Sequence, residues 1–560
     1  MLLTLLLYAA AVVAGAATKL PTIKLDGATV IGTSDGSVTQ FFGIPFAEPP
    51  VGKLRLQLPQ PIRRYSGVIN ATAFGNQCLQ QTMPPAVFPN TTVLPPEIAP
   101  FVAAMGVPPP VPQSEDCLNL NVIVPAGTKP GDKLPVAVWI FGGGFQIGSN
   151  AVRPGQVVVK RSVEIGHPVI YVSMNYRLSA LGFLGGREIA NAGLGNLGLQ
   201  DRESIYPINL CVLSVEESCL TERESLRWIQ KHISAFGGDP TKVTIWGESA
   251  GSESVAFHML VNGGNTEGLF RAGWMESGSV NPAGNISNVQ PHFDFIASET
   301  GCADEIEILE CLREVPTSVI QAAVDKTSTY VSFQGTPWAP RADGLFLVDN
   351  PQRLLLEGKI ADIPFVIGSN KDEGTLFSLA SLNLTTQDEV AAYLSSDFFP
   401  NAPKENITRL LDLYPANPAF GAPFDTGDAF AFSPQYKRIS AFQGDSRFGA
   451  PRRLLLQKRS GKQVMRSFLS ERNQITGMGA THTTELANVF GGGDMTDFLV
   501  RFVDTLDPNG GEGVHWPAYT AESPQLLVFA NGKESLAVIP DTFRKEANEF
   551  LIQLGLEQPN

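Results

Sequence analysis

A short stretch near the middle of the chain combines the signals of a strand, a sharp turn and a helix. Lys-Val-Thr-Ile-Trp at 242–246 predicts a buried strand, Gly-Glu-Ser-Ala-Gly at 247–251 a turn, and 252–260 a helix. A serine on such a turn is pushed out of the backbone, so its hydroxyl stands above the sheet. Glycines two residues before and after it are needed because a Cβ would collide with neighbouring elements. Ser249 is therefore the candidate nucleophile.

The same Gly-x-Ser-x-Gly pattern occurs a second time at 32–36, where its neighbours give it another meaning. It lies between two short β-like runs, 28–31 and 38–41. Ser-Asp-Gly between two strands is typical of a hairpin turn. We predict a hairpin there and keep Ser249 as the nucleophile.

The N-terminal residues are almost entirely apolar and end in small residues around Ala16. This pattern predicts a secretory signal at 1–16, although the segment has no basic residue at its start. No later apolar run is long enough to span a bilayer. We expect the mature protein to be secreted, soluble and extracellular, with no transmembrane segment.

Other features of the sequence agree with secretion. Candidate glycosylation sites are Asn70, Asn90, Asn285, Asn383 and Asn406, each in an Asn-x-Ser/Thr sequon. The six cysteines are consistent with disulfides in an oxidising compartment. No Cys or His lies at the short spacing of a zinc site to another such pair, so we expect no metal.

Charge and composition bear on partners and on domain count. The net charge is −14 and no basic cluster is visible, which argues against nucleic acid and anionic membranes as partners.

The length allows two or three domains or one large α/β domain. Because no repeat, linker or charge run divides the chain, we favour a single domain over residues 17–560.

A serine nucleophile needs a base, a carboxylate that orients the base, and donors for the oxyanion. A continuous apolar strand at 134–141 runs into three glycines at 142–144. Consecutive glycines let backbone N–H groups point at a ligand without obstruction by side chains. Gly143, Gly144 and Ala250 are the predicted donors of the oxyanion hole.

On α/β-hydrolase scaffolds the acid and then the histidine follow the serine along the chain. His482 lies in a loop of small residues before a helical stretch, so its imidazole can reach across the sheet, and we predict that it is the base. His515 stands among bulky neighbours and is interpreted as structural. Asp372 and Glu373 both follow the buried strand at 363–368, and the residues alone leave the choice between them open.

Motifs along nearly the whole chain resemble the fungal lipase branch of the type-B carboxylesterase family, the group of the Candida rugosa and Geotrichum lipases. The matching motifs are Gly43 to Gly52, Glu115 to Val122, Phe141 to Phe145, Ala235 to Pro240, Gly247 to Gly251 and Asp372 to Thr375. The resemblance implies an α/β-hydrolase fold: a large mixed, mostly parallel sheet with helices on both faces. It also implies Glu373 as the triad acid and the disulfides Cys78–Cys117 and Cys302–Cys311.

The resemblance further implies a secreted serine hydrolase that cleaves carboxylic esters without a cofactor. The expected partner is an ester or lipid substrate, and the expected activity is that of a lipase on acylglycerols. A short-chain or aromatic carboxylesterase, or a sterol esterase, would use the same residues. A catalytically dead adhesion protein on this scaffold is disfavoured because such relatives lose a triad residue and this chain keeps all three.

The resemblance also makes residues 79–116 a lid. The segment is apolar and proline-rich, and a disulfide would anchor both of its ends. Its apolar interior would cover a groove and become exposed on opening, which favours a transient contact with a lipid–water interface. Those interior side chains are Leu94, Ile98, Phe101, Val102 and Met105. A static loop stiffened by proline is the alternative.

Two features depart from the family pattern. Glu253, four residues after the nucleophile, stands where similar lipases carry an apolar residue near the acyl channel, which favours shorter or more polar acyl groups. Residues 203–223 match nothing in the family and would split a helix, and Arg-Glu-Ser occurs at both ends of the segment. We expect a retained in-frame intron, or else a surface loop closed by Cys211–Cys219.

Overall fold

The strands of the computed structural model form two sheets. The structure describes residues 20–83, 94–105, 111–201, 224–329, 337–511, 513–532 and 535–559. The strands are β1 Thr22–Leu25, β2 Gly27–Ile31, β3 Thr33–Ser34, β4 Val38–Pro45, β5 Ser66–Asn70, β6 Asn119–Pro125, β7 Leu134–Ile140, β8 Ile170–Met174, β9 Gly238–Glu248, β10 Ala272–Glu276, β11 Phe365–Asn370, β12 Met465–Ser470, β13 Gln525–Phe529 and β14 Leu536–Pro540.

The larger sheet has eleven strands in the order β14-β13-β12-β11-β10-β9-β7-β8-β6-β4-β3. Neighbours from β8 to β13 pair in parallel, whereas β6, β4, β3 and β14 pair antiparallel at the two sides. The central parallel strands are apolar on both faces, as expected where helices cover both sides of a sheet. The smaller sheet is β1-β2-β5.

Helices alternate with the strands along much of the chain. They are α1 Ile98–Met105, α2 Gln156–Glu164, α3 Ser179–Phe183, α4 Arg187–Ala192, α5 Leu197–Gln200, α6 Glu224–His232, α7 Ala250–Leu260, α8 Gln290–Glu299, α9 Ile308–Glu314, α10 Thr317–Val324, α11 Pro351–Leu356, α12 Gln387–Tyr393, α13 Lys404–Leu413, α14 Tyr436–Gly444, α15 Ala450–Arg459, α16 Leu486–Val489, α17 Asp494–Thr505 and α18 Lys545–Glu557. This mixed, mostly parallel sheet with its helices is the expected α/β-hydrolase fold.

The core beneath the central strands is rich in tryptophan. Trp246 of β9 lies edge-on to Trp139 of β7, with ring centroids 4.6 Å apart, and stacks on Phe490 at 4.8 Å. Both β7 and β9, the strand that leads into the nucleophile turn, therefore pack through large, buried rings. At the second Gly-x-Ser-x-Gly copy, β3 pairs antiparallel with β4, so the predicted hairpin turn is confirmed. Its first strand is β3, however, because the run at 28–31 belongs to β2 and pairs with β1 and β5 in the smaller sheet.

Both disulfides implied by the resemblance are formed, Cys78–Cys117 and Cys302–Cys311. The first closes the base of the segment at 79–116. Beside it, Glu115 accepts two hydrogen bonds from the buried Arg55 guanidinium, at 2.7 and 2.6 Å. The stem of this segment is therefore fixed by a covalent bond and by a buried ion pair.

The segment that departs from the family pattern at 203–223 lies outside the described residues, as do Cys211 and Cys219, but the described residues on its two sides contact each other. Asp201 is fully buried and its carboxylate pairs with Arg177 at 2.6 Å. The N–H of Ser225 donates to the backbone oxygen of Asp201 at 3.3 Å. In α6, Leu226, Trp228 and Ile229 are buried.

The sequons differ in accessibility. Asn70, Asn285 and Asn383 are exposed and Asn406 is half-buried. Asn90 lies outside the described residues.

Candidate active site

Ser249 occupies the turn between β9 and α7 in a conformation that a side chain rarely adopts. Its φ is 54° and its ψ is −126°. A Cβ at Gly247 would lie 2.4 Å from the backbone of Gly251, and one at Gly251 would lie 2.0 Å from the carbonyl oxygen of Ile140. Only glycine fits at either position. The turn therefore has the close packing that the sequence predicts, with the serine held at its tip.

Three parallel strands bring the predicted triad together at their carboxyl ends. Ser249 follows β9, Glu373 follows β11 and His482 follows β12. The Oγ of Ser249 lies 2.9 Å from Nε2 of His482, and Nδ1 of the same ring lies 2.7 Å from Oε2 of Glu373. His482 and Glu373 are buried, whereas Ser249 remains partly open to solvent.

The two adjacent acids that the sequence left open have separate partners. Glu373 faces the imidazole, while its Oε1 accepts from the backbone N–H of Asn370 at 2.6 Å and from the hydroxyl of Ser277 at 2.5 Å. Asp372 points the other way and accepts backbone N–H groups of Ala480 and Phe424 at 3.0 and 2.7 Å. Asp372 therefore holds the loop that carries the histidine, and Glu373 holds the ring.

The glycine loop after β7 lies directly against the nucleophile turn. A Cβ on Gly142 would lie 2.8 Å from Cβ of Ser249. Gly143 and Gly144 have φ values of 107° and 61°, which only glycine adopts readily. Ala250 begins α7, so its N–H is one of the unpaired donors at a helix N-terminus. The three predicted donors thus flank Ser249 on two chain segments.

Buried carboxylates surround the imidazole. Burial alone would lower the pKa of His482, but the negative charges of Glu248 and Glu373 outweigh it and raise that pKa to about 9. Burial raises the pKa of Glu248 to about 8 and that of Glu485 to about 7. Such an environment stabilises a positively charged imidazole at the moment when it has accepted a proton.

The sequence reasoning missed the residues that support the acid. Ser277 follows β10, the strand beside the nucleophile strand, and its φ of 54° resembles that of Ser249. Glu485, three residues after the histidine, accepts a hydrogen bond from the Asn370 side chain. Ser277 directly follows a parallel strand, which is a position where functional residues occur, but no local signal links it to Glu373, and Glu485 lies well beyond β12, directly before α16. His515, interpreted as structural from the sequence, is exposed on another loop.

Aromatic rings connect the imidazole to the segment at 79–116. The ring of His482 lies 5.1 Å from that of Phe377 and 4.8 Å from that of Phe448. Both phenylalanines belong to an apolar cluster that includes the fully buried Ile98 of α1. Leu94, Phe101 and Val102 pack against the same cluster, whereas the side chain of Met105 lies outside the described residues. Apolar residues of α1 thus belong to the same cluster as the rings that contact the catalytic base candidate.

Comparison with known proteins gives consistent matches over most of the chain. The model of the "Carboxylesterase family" matches residues 17–204 and 222–550. "Lipase 5" of Diutina rugosa is 39% identical, covering 90% of both chains. "Secreted lipase 1" of Botryotinia fuckeliana is 37% identical over 96% of this chain and 93% of its own. These matches confirm the resemblance inferred from the motifs.

A solved structure agrees with the sequence matches. Aspergillus niger EstA superposes with a TM-score of 0.78 and 26% identity, covering 97% of this chain and 99% of its own.

Among the described residues, every helix is too short or too polar to cross a bilayer.

Proposed function

Since the chain belongs to the carboxylesterase family, we propose that it is a secreted serine hydrolase of carboxylic esters, a lipase that cleaves acylglycerols through an acyl-enzyme. The observation that carries the proposal is the unbroken row from the Ser249 hydroxyl through the imidazole to a buried carboxylate, with contacts of 2.9 and 2.7 Å. The lipases reported above, one of them secreted, support the substrate class and the compartment.

In the first half of the proposed reaction, Nε2 of His482 takes the proton of Ser249 as Oγ attacks the ester carbonyl. Glu373 accepts a hydrogen bond from the Nδ1–H of the ring, which fixes the tautomer and stabilises the imidazolium. The ring then gives its proton to the departing alcohol. A water molecule attacks the acyl-enzyme by the same route and releases the acid.

Backbone N–H groups supply the stabilisation of the tetrahedral intermediate. Gly143, Gly144 and Ala250 are the proposed donors to its oxyanion. Removing one such donor in a comparable enzyme costs about 2.7–4 kcal/mol of transition-state stabilisation. Because the three are main-chain N–H groups, no side chain has to change its rotamer when the charge develops.

The proposed function also assigns roles to the N-terminal segment, to the segment at 79–116 and to the sequons. Residues 1–16 are proposed as a signal peptide, which is consistent with a family match that starts at residue 17. Residues 17–560 are proposed as one catalytic domain, with 79–116 as its lid. The five sequons are proposed glycosylation sites.

A fluorophosphonate probe tests the nucleophile, and two kinds of substrate test the class. The purified protein should be labelled at Ser249, and the Ser249→Ala variant should not be. Emulsified triacylglycerol and soluble p-nitrophenyl esters should both be hydrolysed. Absence of labelling in folded protein would contradict the esterase proposal, whereas labelling with activity on soluble esters alone would favour the short-chain carboxylesterase that Glu253 suggests.

A further inference from the structure

A groove of about 450 Å³ lies between four separate parts of the chain, and we call it the Asn285 groove. Its volume falls within the range of about 300–1,000 Å³ that is typical of small-ligand sites. Its lining includes Ala190 of α4, Asn285, Asp343, Val348, Arg353 and, near the C-terminus, Pro559. None of the proposed catalytic residues lines it, so the proposed reaction gives this groove no role.

Asn285, an exposed sequon asparagine, is held in a fixed position in the lining of this groove. Its Oδ1 accepts a hydrogen bond from the backbone N–H of Ser287 at 2.8 Å, and none of its hydrogen bonds to described residues uses Nδ2. On its two sides, the N–H of Ile286 donates to the oxygen of Ala342 at 2.9 Å, and the N–H of Ala342 donates to the oxygen of Gly284 at 2.9 Å. A sugar on Nδ2 would therefore start from an anchored side chain.

The lining of the Asn285 groove combines polar and apolar groups. Asp349 and Arg353 lie 3.7 Å apart and are both about half-exposed, so each keeps hydrogen-bonding capacity for sugar hydroxyls. Val348, 53% exposed, offers apolar surface to the C–H face of a pyranose ring. Asn350 accepts from the N–H of Gln352 through Oδ1, and its Nδ2 has no partner among the described residues. An N-acetylated sugar, with hydroxyls, an apolar face and an amide carbonyl, suits this lining.

We propose that the first N-acetylglucosamine of a glycan on Asn285 binds in the Asn285 groove, against Val348 and Arg353. The sugar is joined to the groove by a short covalent link, which gives it an effective concentration in the millimolar range. Weak contacts are then sufficient to keep it bound. This inference rests on the glycosylation assigned to Asn285 under the proposed function, and it is independent of the ester chemistry.

Endoglycosidase H tests the inference, because it cuts between the first and second N-acetylglucosamine of a high-mannose glycan. The protein is secreted from yeast, which attaches such glycans, and is digested before and after denaturation. Mass spectrometry of glycopeptides compares Asn285 with Asn70, whose Oδ1 accepts from its own sequon residue Thr72 in a similar way but which lies outside the groove. Native cleavage should be about tenfold slower at Asn285, as for a sugar bound about ten times as often as it is free. Denaturation should abolish the difference.

Substitutions in the groove separate its effect from general crowding. Val348→Glu places a longer, charged side chain in the groove and should raise the native cleavage rate at Asn285 to that at Asn70. Arg353→Ala removes hydrogen-bond donors and should raise the rate about threefold. Val464→Glu, at a valine of similar exposure outside the groove, is the matched control and should leave the rate unchanged.

Equal native cleavage rates at Asn285 and Asn70 in the unchanged protein overturn the proposal, as does an Asn285 that carries no glycan. Slow cleavage at Asn285 that persists in both Val348→Glu and Arg353→Ala also overturns it. Thermal melting shows that each variant is folded. Hydrolysis of p-nitrophenyl butyrate is measured on the same samples, so that a protected glycan on an inactive protein contradicts the proposed esterase function alone.

Discussion

The carboxylate of Glu248 lies 3.3 Å from Nε2 of His482, the same ring nitrogen that contacts the nucleophile candidate. Glu248 immediately precedes Ser249, so the turn that exposes the serine also places an acid beside the base. One imidazole therefore lies between two carboxyl groups, Glu248 on one nitrogen and Glu373 on the other. This arrangement determines how the rate should depend on pH.

We expect Glu248→Gln to move the acid limb of kcat/KM to lower pH by about one unit. The negative charge of Glu248 raises the pKa of His482, and the base must be neutral to accept a proton. Removing that charge lowers the pKa, so the neutral ring persists at lower pH. A pH–rate profile with p-nitrophenyl butyrate measures the shift, and a limb that stays in place or moves to higher pH contradicts the electrostatic role.

We expect Glu373→Gln to lower kcat about 10⁴-fold with little loss of stability. The amide oxygen of the new side chain can accept from Ser277 and Asn370, which leaves its NH₂ facing Nδ1 and favours the wrong tautomer of the ring. Glu310→Gln is the matched control, because Glu310 is an exposed carboxylate that contacts Arg313 and not the imidazole. Equal losses in the two variants would show that Glu373 is not the orienting acid.

We expect loss of the Cys78–Cys117 disulfide to destabilise the protein more than loss of Cys302–Cys311. The first bond joins residues 39 positions apart and the second joins residues 9 apart. Chain entropy alone then gives about 4 and about 2.6 kcal/mol of stabilisation respectively. Urea unfolding of the two double Cys→Ala variants measures the difference. Equal or reversed losses would mean that local packing, not loop closure, determines the effect.

We expect a chain without residues 203–223 to fold and to keep its esterase activity. The deletion makes Ser225 the third residue after Asp201, and the hydrogen bond already present between them becomes one turn of a continuous helix. The interruption of the family match at 205–221 points to the same segment.

Circular dichroism, thermal melting and hydrolysis of p-nitrophenyl butyrate compare the deleted and full chains. An unfolded deletion variant contradicts the expectation. Sequencing of transcripts decides the origin of the segment, since reads that retain it exclude an intron and leave the surface loop closed by Cys211–Cys219.

Local patterns were sufficient to select Ser249 and His482, which the structure brings within 2.9 Å of each other, and their catalytic roles stay predictions. The strand, turn and helix around the serine are contiguous in sequence, and a loop of small residues surrounds the histidine. Local patterns could not decide between Asp372 and Glu373, because that choice depends on which side of the loop faces β12. Only the resemblance to the family favoured Glu373. In the structure Glu373 faces the ring at 2.7 Å.

Ser277 could not be predicted from its own neighbourhood. Its hydroxyl contacts a residue 96 positions away, because β10 and β11 pair in parallel and end at the same edge of the sheet. Pairing of this kind is a property of the whole sheet, and strand signals in a single sequence do not give strand order. The same limit applies to Glu248. Its place in the sequence, directly before Ser249, is evident, but its distance from the imidazole follows only from the folded sheet.

The backbone of Ser249, with φ at 54° and ψ at −126°, has a conformation that lowers the stability of the fold, although the proposed reaction requires a serine there. A non-glycine residue held there costs about 1–3 kcal/mol, and glycine would relieve the strain while deleting the hydroxyl. Selection for thermal stability alone would therefore favour replacing this serine. Directed evolution of a more stable variant therefore has to measure turnover in every round, since the substitution that most easily stabilises this turn also removes the nucleophile candidate.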